Sequence, residues 1–220
     1  MGIISVEQAD HLYWLGRYTE RVYTTLRIYS LRFDEMLDRL PDSYEEFCES
    51  IDIPNIYTSR DDFFERYPFD KTNPDSLISN LDRAYDNAIV LRESIRSDAL
   101  SYVQMAVYEM SNAKKSDAPM IEMQKVLDLI LAFWGIVDDQ IDSEQVRNII
   151  KAGKRIERID LYARIELPRE NLAREVHRMI PRVEKSGIPY RMENLENLNR
   201  LAEEEPLDYD RIIANVEGIF

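Results

Sequence analysis

Residues 16–28 read Gly16-Arg17-Tyr18-Thr19-Glu20-Arg21-Val22-Tyr23-Thr24-Thr25-Leu26-Arg27-Ile28, and residues 153–165 read Gly153-Lys154-Arg155-Ile156-Glu157-Arg158-Ile159-Asp160-Leu161-Tyr162-Ala163-Arg164-Ile165. Aligned on their glycines, the two stretches share Glu20 with Glu157, Arg21 with Arg158, Arg27 with Arg164 and Ile28 with Ile165, and Val22 matches Ile159 in kind. Each sits in a helical pattern. The first carries the apolar stripe Leu15, Val22, Leu26, Tyr29, Phe33, Met36 and Leu40, and the second carries Ile149, Ile156, Ala163 and Leu167. A Glu-Arg pair repeated at one place on two helices predicts two helices that meet the same constraint around a pseudo-symmetric centre.

A helix turns about 100° per residue. Measured from the first stripe, Glu20 falls at about 140° and Arg21 at about 120° on the other side. From the second stripe, Glu157 falls at about 100° and Arg158 at about 160° the other way. Both pairs therefore sit off the apolar seam in similar orientation. Two readings follow. In one, the pairs lie on solvated faces with local i,i+4 partners. In the other, they form a shared polar layer in which each Glu accepts a bidentate Arg from the opposite helix. Tyr13, Trp14 and Tyr18 point to the second, because large aromatics on the back of a helix imply a second buried face, and Gly16 and Gly153 would let the backbones approach. The expectation is that the two helices pack side by side with cross-helix charge contacts. Catalysis through Glu20 or Glu157 is a third use, with no signature of its own. Arg83, Asn87, Arg92, Glu93 and Arg96 form a further polar set at helical spacing. It reads either as a solvated face or as a site for an anion or carboxylate.

The stretch Ala9-Asp10-His11-Leu12-Tyr13-Trp14-Leu15-Gly16-Arg17-Tyr18-Thr19-Glu20-Arg21 resembles the opening of the alpha-E family, an all-helical bacterial domain named for its Glu-Arg motifs. Asn73-Pro74-Asp75-Ser76-Leu77-Ile78, then Arg83-Ala84-Tyr85-Asp86-Asn87-Ala88 with Leu91-Arg92-Glu93, resemble its later landmarks, and Gly153 to Arg158 its second Glu-Arg copy. Lys154 and Arg155 stand where relatives usually show Arg-Tyr. The resemblance covers roughly residues 5–167. It implies a companion of circularly permuted ATP-grasp ligases and transglutaminase-like proteins in bacterial peptide synthesis or modification. The chain would then be an accessory protein that binds the ligase or its peptide, with Tyr13, Trp14, Arg17, Glu20, Arg21, Arg83, Asn87, Arg92, Glu93, Glu157 and Arg158 as candidate binding residues. The alternative is a helical enzyme acting on a peptide amide through the Glu-Arg pairs.

The chain has 220 residues, 45% of them hydrophobic, which suits one folded domain. Lys and Arg number 28 against 42 Asp and Glu, a formal net charge of −14, so nucleic acid and anionic membrane are not expected partners. The one cysteine, Cys48, excludes an internal disulfide and reads as an ordinary half-buried residue. The first ten residues lack a basic start and an apolar core, and the run Leu129 to Val137 is too short for a bilayer, so a cytoplasmic setting is expected. Neither His11 nor His177 has a partner at zinc-ligand spacing, and no phosphate-binding glycine loop is present, so no metal or cofactor is assigned. Asp138-Asp139-x-x-Asp142 has the form of a magnesium-diphosphate motif. It directly precedes a Ser143 helix cap, which predicts a helix end instead.

The pattern predicts an all-α antiparallel bundle. Ser5-x-x-Gln8 is a capping box opening a helix to about Leu40, before Pro41. Residues 41–72 form a looped insertion with breakers at Pro54 and Pro68. Asn73-Pro74 caps a long helix to Ser111. Another starts at Asp117 or Pro119, and a fourth, capped by Ser143, is interrupted at Pro168. A shorter helix ends at Ser186-Gly187, and two small ones flank Pro206. The domain reading is a single unit, 1–220, with a core over 1–167 and a helical extension over 168–220.

Overall fold

Ser5 opens the first helix. Its Oγ accepts the Gln8 backbone N–H at 3.1 Å, but the Gln8 side chain crosses to Ser94 Oγ at 2.7 Å and so leaves the capping box half made. The computed structural model describes residues 4–38 and 43–220, with side chains over 4–33 and 43–220; Leu40, Pro41 and the Met36 side chain lie outside them. Among the described residues ten α-helices follow in order: α1 (Val6–Asp38), α2 (Ser43–Ser50), α3 (Arg60–Arg66), α4 (Leu77–Val90), α5 (Arg92–Ala113), α6 (Pro119–Asp139), α7 (Glu144–Arg164), α8 (Arg169–Glu184), α9 (Met192–Leu201) and α10 (Tyr209–Glu217). The described residues contain no strand, so the fold is all-α. No described helix is long and apolar enough to cross a membrane.

Several boundaries follow the sequence, and others correct it. Ser143 caps α7 by accepting from the Val146 N–H, and α6 starts at Pro119. Asn73-Pro74 does not start a helix. Asn73 Oδ1 accepts the Asp75 N–H in a turn, and Ser76 is the cap of α4. The single long helix expected to run to Ser111 is two. Leu91 leaves helical geometry at φ −90° and ψ 4°, and its side chain is buried. No Gly or Pro marks this break; burial of Leu91 fixes it. Arg96 sits at φ 69° and ψ 154°, a second interruption, so Arg92 and Arg96 are not stacked on one helical face. Pro181 lies inside α8 without ending it.

α1 runs antiparallel to α4, and α7 runs antiparallel to α8. His11 and Gln8 of α1 meet Asn87 and Ser94, and Arg155 and Asn148 of α7 meet Glu175 and Arg182 of α8. The pair carrying the repeat departs from that pattern. Tyr13 and Arg17 lie against Gly153, Gly16 against Ile150 and Lys154, Glu20 against Arg158, and Arg21 against Glu157. The contacts rise together along both chains, so α1 and α7 are parallel, related by an approximate two-fold axis along the pair. Their apolar stripes do not face each other. Leu15, Val22, Leu26 and Tyr29 pack into a core with α4, α5, α6 and the aromatic insertion. Of the second stripe, Ile149 joins that core, whereas Ile156 and Ala163 pack away from it, into a second core with α8, α9 and α10. The insertion is held by stacked and edge-on rings, Phe63 against Tyr67 at 5.1 Å and Tyr29 at 5.8 Å. Cys48 is fully buried there rather than half-buried, and burial, reinforced by Glu45, pushes its thiol up to about 12.

The two apolar stripes being turned away, α1 and α7 touch through their glycines. A Cβ on Gly16 would lie 2.1 Å from the Ile150 carbonyl oxygen, and one on Gly153 would lie 2.2 Å from that of Tyr13. Both clashes are with backbone, which side-chain rotation cannot relieve. We therefore expect Gly153→Ala to cost about 1–3 kcal/mol or more by forcing the helices apart. Gly135 in α6, with nothing within 4 Å of its Cβ position, is the control. There the same substitution should stabilise by about 0.5–1 kcal/mol. Urea denaturation of the two variants decides it: equal effects would mean that the α1–α7 contact is not close-packed.

Candidate functional site

Five residues along the glycine seam form a charge layer around two enclosed carboxylates. Glu20 and Glu157 are both 0% exposed. Arg158 of α7 donates Nε to Glu20 Oε1 at 2.6 Å and an Nη to Oε2 at 3.0 Å, a bidentate pair across the helices. Glu157 is held differently from the reciprocal bidentate expectation. Arg17 Nε donates to its Oε2 at 2.6 Å, and Arg21 Nε donates to its Oε1. One carboxylate thus takes two guanidiniums from successive turns of α1. The departure from symmetry has a local cause. Lys154 occupies the place that Arg17 holds in the other copy, and its Nζ lies 3.8 Å from the centroid of the Trp134 ring. Glu20 takes a further bond from the Thr24 hydroxyl at 2.6 Å instead. Burial pushes the Lys154 ammonium down to about 7, with Glu20 opposing the shift.

The layer extends outward through residues that the sequence reading did not select. Glu175 of α8, 2% exposed, gathers Arg155, Arg178 at 3.2 Å and Arg158 at 3.7 Å. Asp160, 1% exposed, takes Arg164 Nε at 3.1 Å, and Arg164 also reaches Asp52 and Glu217. Arg164 was visible as the mate of Arg27 in the repeat. Glu175 had no such signal, since its role comes from α8 folding back on α7.

The aromatics on the back of α1 form a column with cations. Arg83 of α4 lies over the Tyr18 ring at 5.6 Å, Tyr18 stacks on Trp14 at 5.2 Å, and Arg17 covers Trp14 at 5.2 Å and Tyr13 at 5.8 Å. Tyr13 then meets Phe220 edge-on at 5.3 Å. Beside the Tyr13 end opens a groove of about 460 Å³, lined by Val6, Ala9, Tyr13, Trp14, Ile188, Pro189 and Phe220, with Asp10, Arg17, Gln145 and Glu217 as its polar groups.

The remaining candidates are dispersed. Asn87 donates to the Arg83 carbonyl at 2.8 Å, which fixes its amide, so its Oδ1 accepts from His11 Nδ1 at 2.6 Å. Arg92 and Glu93 are exposed and border a separate depression with His11 and Gln8. None of these four joins the Glu-Arg layer. The candidate catalytic residues Glu20 and Glu157 present no carboxylate surface to a substrate, because both are enclosed and hydrogen-bonded to guanidiniums. Asp138 and Asp139 end α6, with Asp138 paired to Lys151, and Asp142 lies in the connector whose carbonyl takes Arg147 at 3.0 Å. Among the described residues, no three His, Cys, Asp or Glu side chains are grouped to hold a metal.

Residues 7–191 match Alpha-E, described as a predicted alpha-helical domain with a conserved ER motif, and the chain belongs to that family. The match takes in α8, beyond the residue 167 at which the motif resemblance stops, and leaves α9 and α10 outside it. No curated protein and no solved structure matches the chain.

Two measurements test the layer. Glu20→Ala strands Arg158 beside Glu175 and should cost about 3–5 kcal/mol, the scale of a broken buried pair; a loss under about 1 kcal/mol would indicate an exposed pair. Acid titration tests Glu157. Burial by itself would raise its carboxyl, but Arg17 and Arg21 outweigh burial and hold it below the ordinary value. The folded carboxyl then keeps its proton less tightly than the unfolded one. Its contribution is whole above about pH 4.3 and is lost as the pH falls through the folded value. Glu157→Gln should lower the melting temperature at pH 7 and flatten its fall below about pH 4; an unchanged acid limb would contradict the assignment.

Proposed function

We propose that this Alpha-E domain is an accessory binding partner in a bacterial peptide-ligation or peptide-modification system, one that takes a peptide segment, or the ATP-grasp-type ligase that uses it, in the groove beside Tyr13 and Trp14. One contrast carries this reading: the Glu20 and Glu157 carboxylates are closed to solvent, whereas the groove next to them is open, aromatic and edged with polar groups. An enzyme using Glu20 or Glu157 needs those carboxylates at a cavity wall. A binding module needs rigid aromatic anchors with part of their surface free, and Trp and Tyr held in place by neighbours are the residues that most often dominate binding energy. Trp14 fits this role. It is half-buried, locked between Tyr18 and Arg17, and lines the groove.

The charge layer supports the same reading. Arg17 links the two: its Nε is fixed on Glu157, and its side chain forms part of the groove wall. On its α1 side the groove is therefore backed by a rigid charge network, which lowers the ordering cost of binding there. The net charge of −14 favours a partner with a basic face, and adds salt dependence to the association rate.

Co-expression and pull-down with a neighbouring ATP-grasp ligase, with ligase turnover measured in the presence and absence of this chain, tests the proposal. The expected result is a complex, altered turnover, and a loss of binding of roughly 2 kcal/mol or more for Trp14→Ala. Association should slow as salt is raised. Absence of both a complex and any change in turnover, with peptide present, would overturn the accessory role. Ligation or ATP hydrolysis by this chain alone would overturn it from the other side.

A further inference from the structure

A second, smaller cavity of about 160 Å³ lies beyond Arg21, at the other end of the charge layer. Its walls come from α1, the stretch after α2, the end of α3, the start of α4 and the last turn of α7. Asp52, Asn80 and Arg164 among its polar groups are committed to protein partners, while others keep free hydrogen-bonding capacity. Arg21 uses Nε on Glu157, and among the described residues its two terminal amino groups have no partner. Tyr67 is 1% exposed, and its hydroxyl has no hydrogen-bond partner among the described residues. Burial holds that phenol far above its ordinary value, so it remains a neutral donor, and the Arg21 charge acts on it.

The opposite polarity is present as well. Asp75 at the start of α4 lines the cavity, and its carboxylate takes no ion pair or hydrogen bond among the described residues. Asp160 is 1% exposed and engages only its Oδ1, with Arg164. Burial, and then the nearby Glu157 charge, raise the Asp160 carboxyl. A second cation at its free oxygen would relieve both effects. Arg164 does not supply it, being already divided among Asp160, Asp52 and Glu217.

A buried phenol without a partner and an open guanidinium edge ask for an acceptor with two oxygens, which a carboxylate offers in bidentate form. An Asp160 carboxylate with one oxygen free and an Asp75 carboxylate without a partner line the same cavity, and together they suit an ammonium. Both demands fall within one small chamber. Its volume is well short of the roughly 300–1,000 Å³ of sites for drug-sized ligands, so only a compact polar molecule fits. We propose that this cavity binds a small free α-amino acid, its carboxylate on Arg21 and Tyr67 and its ammonium on Asp75 and Asp160. The assignment is independent of the groove at Trp14 and stands or falls without it.

The test is isothermal titration of the full chain with L-alanine, L-serine and glycine, alongside N-acetyl-L-alanine and L-alaninamide. At least one free amino acid should give saturable binding, and each capped form should bind at least about tenfold more weakly, 1.4 kcal/mol per lost pairing. Tyr67→Phe and Asp75→Asn each remove one pairing group without touching the Glu-Arg layer, and each should weaken binding at least several-fold. Trp14→Ala should leave it unchanged. Circular dichroism confirms that the variants fold; if Tyr67→Phe does not, Asp75→Asn, on a half-exposed side chain, decides alone. No saturable heat from any free amino acid up to about 10 mM would overturn the proposal. So would capped forms that bind as well as free ones, or unchanged affinity in Asp75→Asn. Binding lost with Trp14→Ala would place the amino acid in the groove and overturn the assignment to this cavity.

Discussion

The close approach of α1 and α7 at Gly16 and Gly153 sets the terms for everything around it. Two backbones in contact leave no room for apolar side chains between them, so the joint can only be completed by groups that reach around the helices. Long guanidiniums and carboxylates do this. Arg158 reaches across to Glu20, and Arg17 and Arg21 reach across to Glu157. Parallel alignment is what makes the exchange reciprocal. With the helices running the same way, a two-fold axis along the pair brings each Glu to the other helix's Arg at the same height. In an antiparallel pair the same residues would meet at the glycines only, and the two Glu-Arg steps would diverge.

Burying this many charges is weak support for stability as such, because desolvation of each ion offsets much of its attraction. Its stronger consequence is for arrangement. An apolar seam tolerates slippage by a turn, since one Leu replaces another. Here a one-turn slip would take Glu20 off Arg158 and Glu157 off one of its two guanidiniums while leaving both carboxylates in the interior. The register of α1 on α7 is thus fixed by what misalignment would cost. The α1 stripe organises one core with α4 to α6, to which Val146, Ile149, Ile150 and Leu161 of α7 also contribute, and Ile156, Ile159 and Ala163 of α7 organise a second with α8 to α10. One parallel pair of helices is thereby the wall shared by both halves of the molecule.

Much of this was legible in the sequence, and the gaps have physical reasons. The repeat, its glycines and its angular offset from the stripes together indicated a cross-helix charge layer, because periodicity reports which face a residue occupies. Periodicity does not report direction, so the parallel run of α1 and α7 is visible only in the structure. It also misses breaks without Gly or Pro, such as Leu91 and Arg96, where tertiary packing overrides local preference. Arg83, Asn87, Arg92 and Glu93 were grouped by spacing, and the structure separates them because the helix they were assigned to is two helices. Tyr67 and Asp75 lie more than forty residues from Arg21 in sequence and could not be joined to it by pattern; only the fold of the insertion against α4 and α7 brings them together.

Glu157 gives the two cavities a physical relation. Its two oxygens hold Arg17 and Arg21 separately, and these arginines are one helical turn apart, one on the wall of the aromatic groove and one on the wall of the polar cavity. A ligand that draws either guanidinium toward itself must do so against the same carboxylate, so the pull is felt by the other arginine through a group that cannot be replaced by water. The carboxylate is fully enclosed and its neighbours are close-packed, which leaves it little freedom to follow. Coupling between the two sites would therefore be carried by charge sharing at one buried carboxylate rather than by helix movement. The shared group is the Glu of the second Glu-Arg copy and both arginines belong to the first, so the two cavity walls are joined through the contact between the copies.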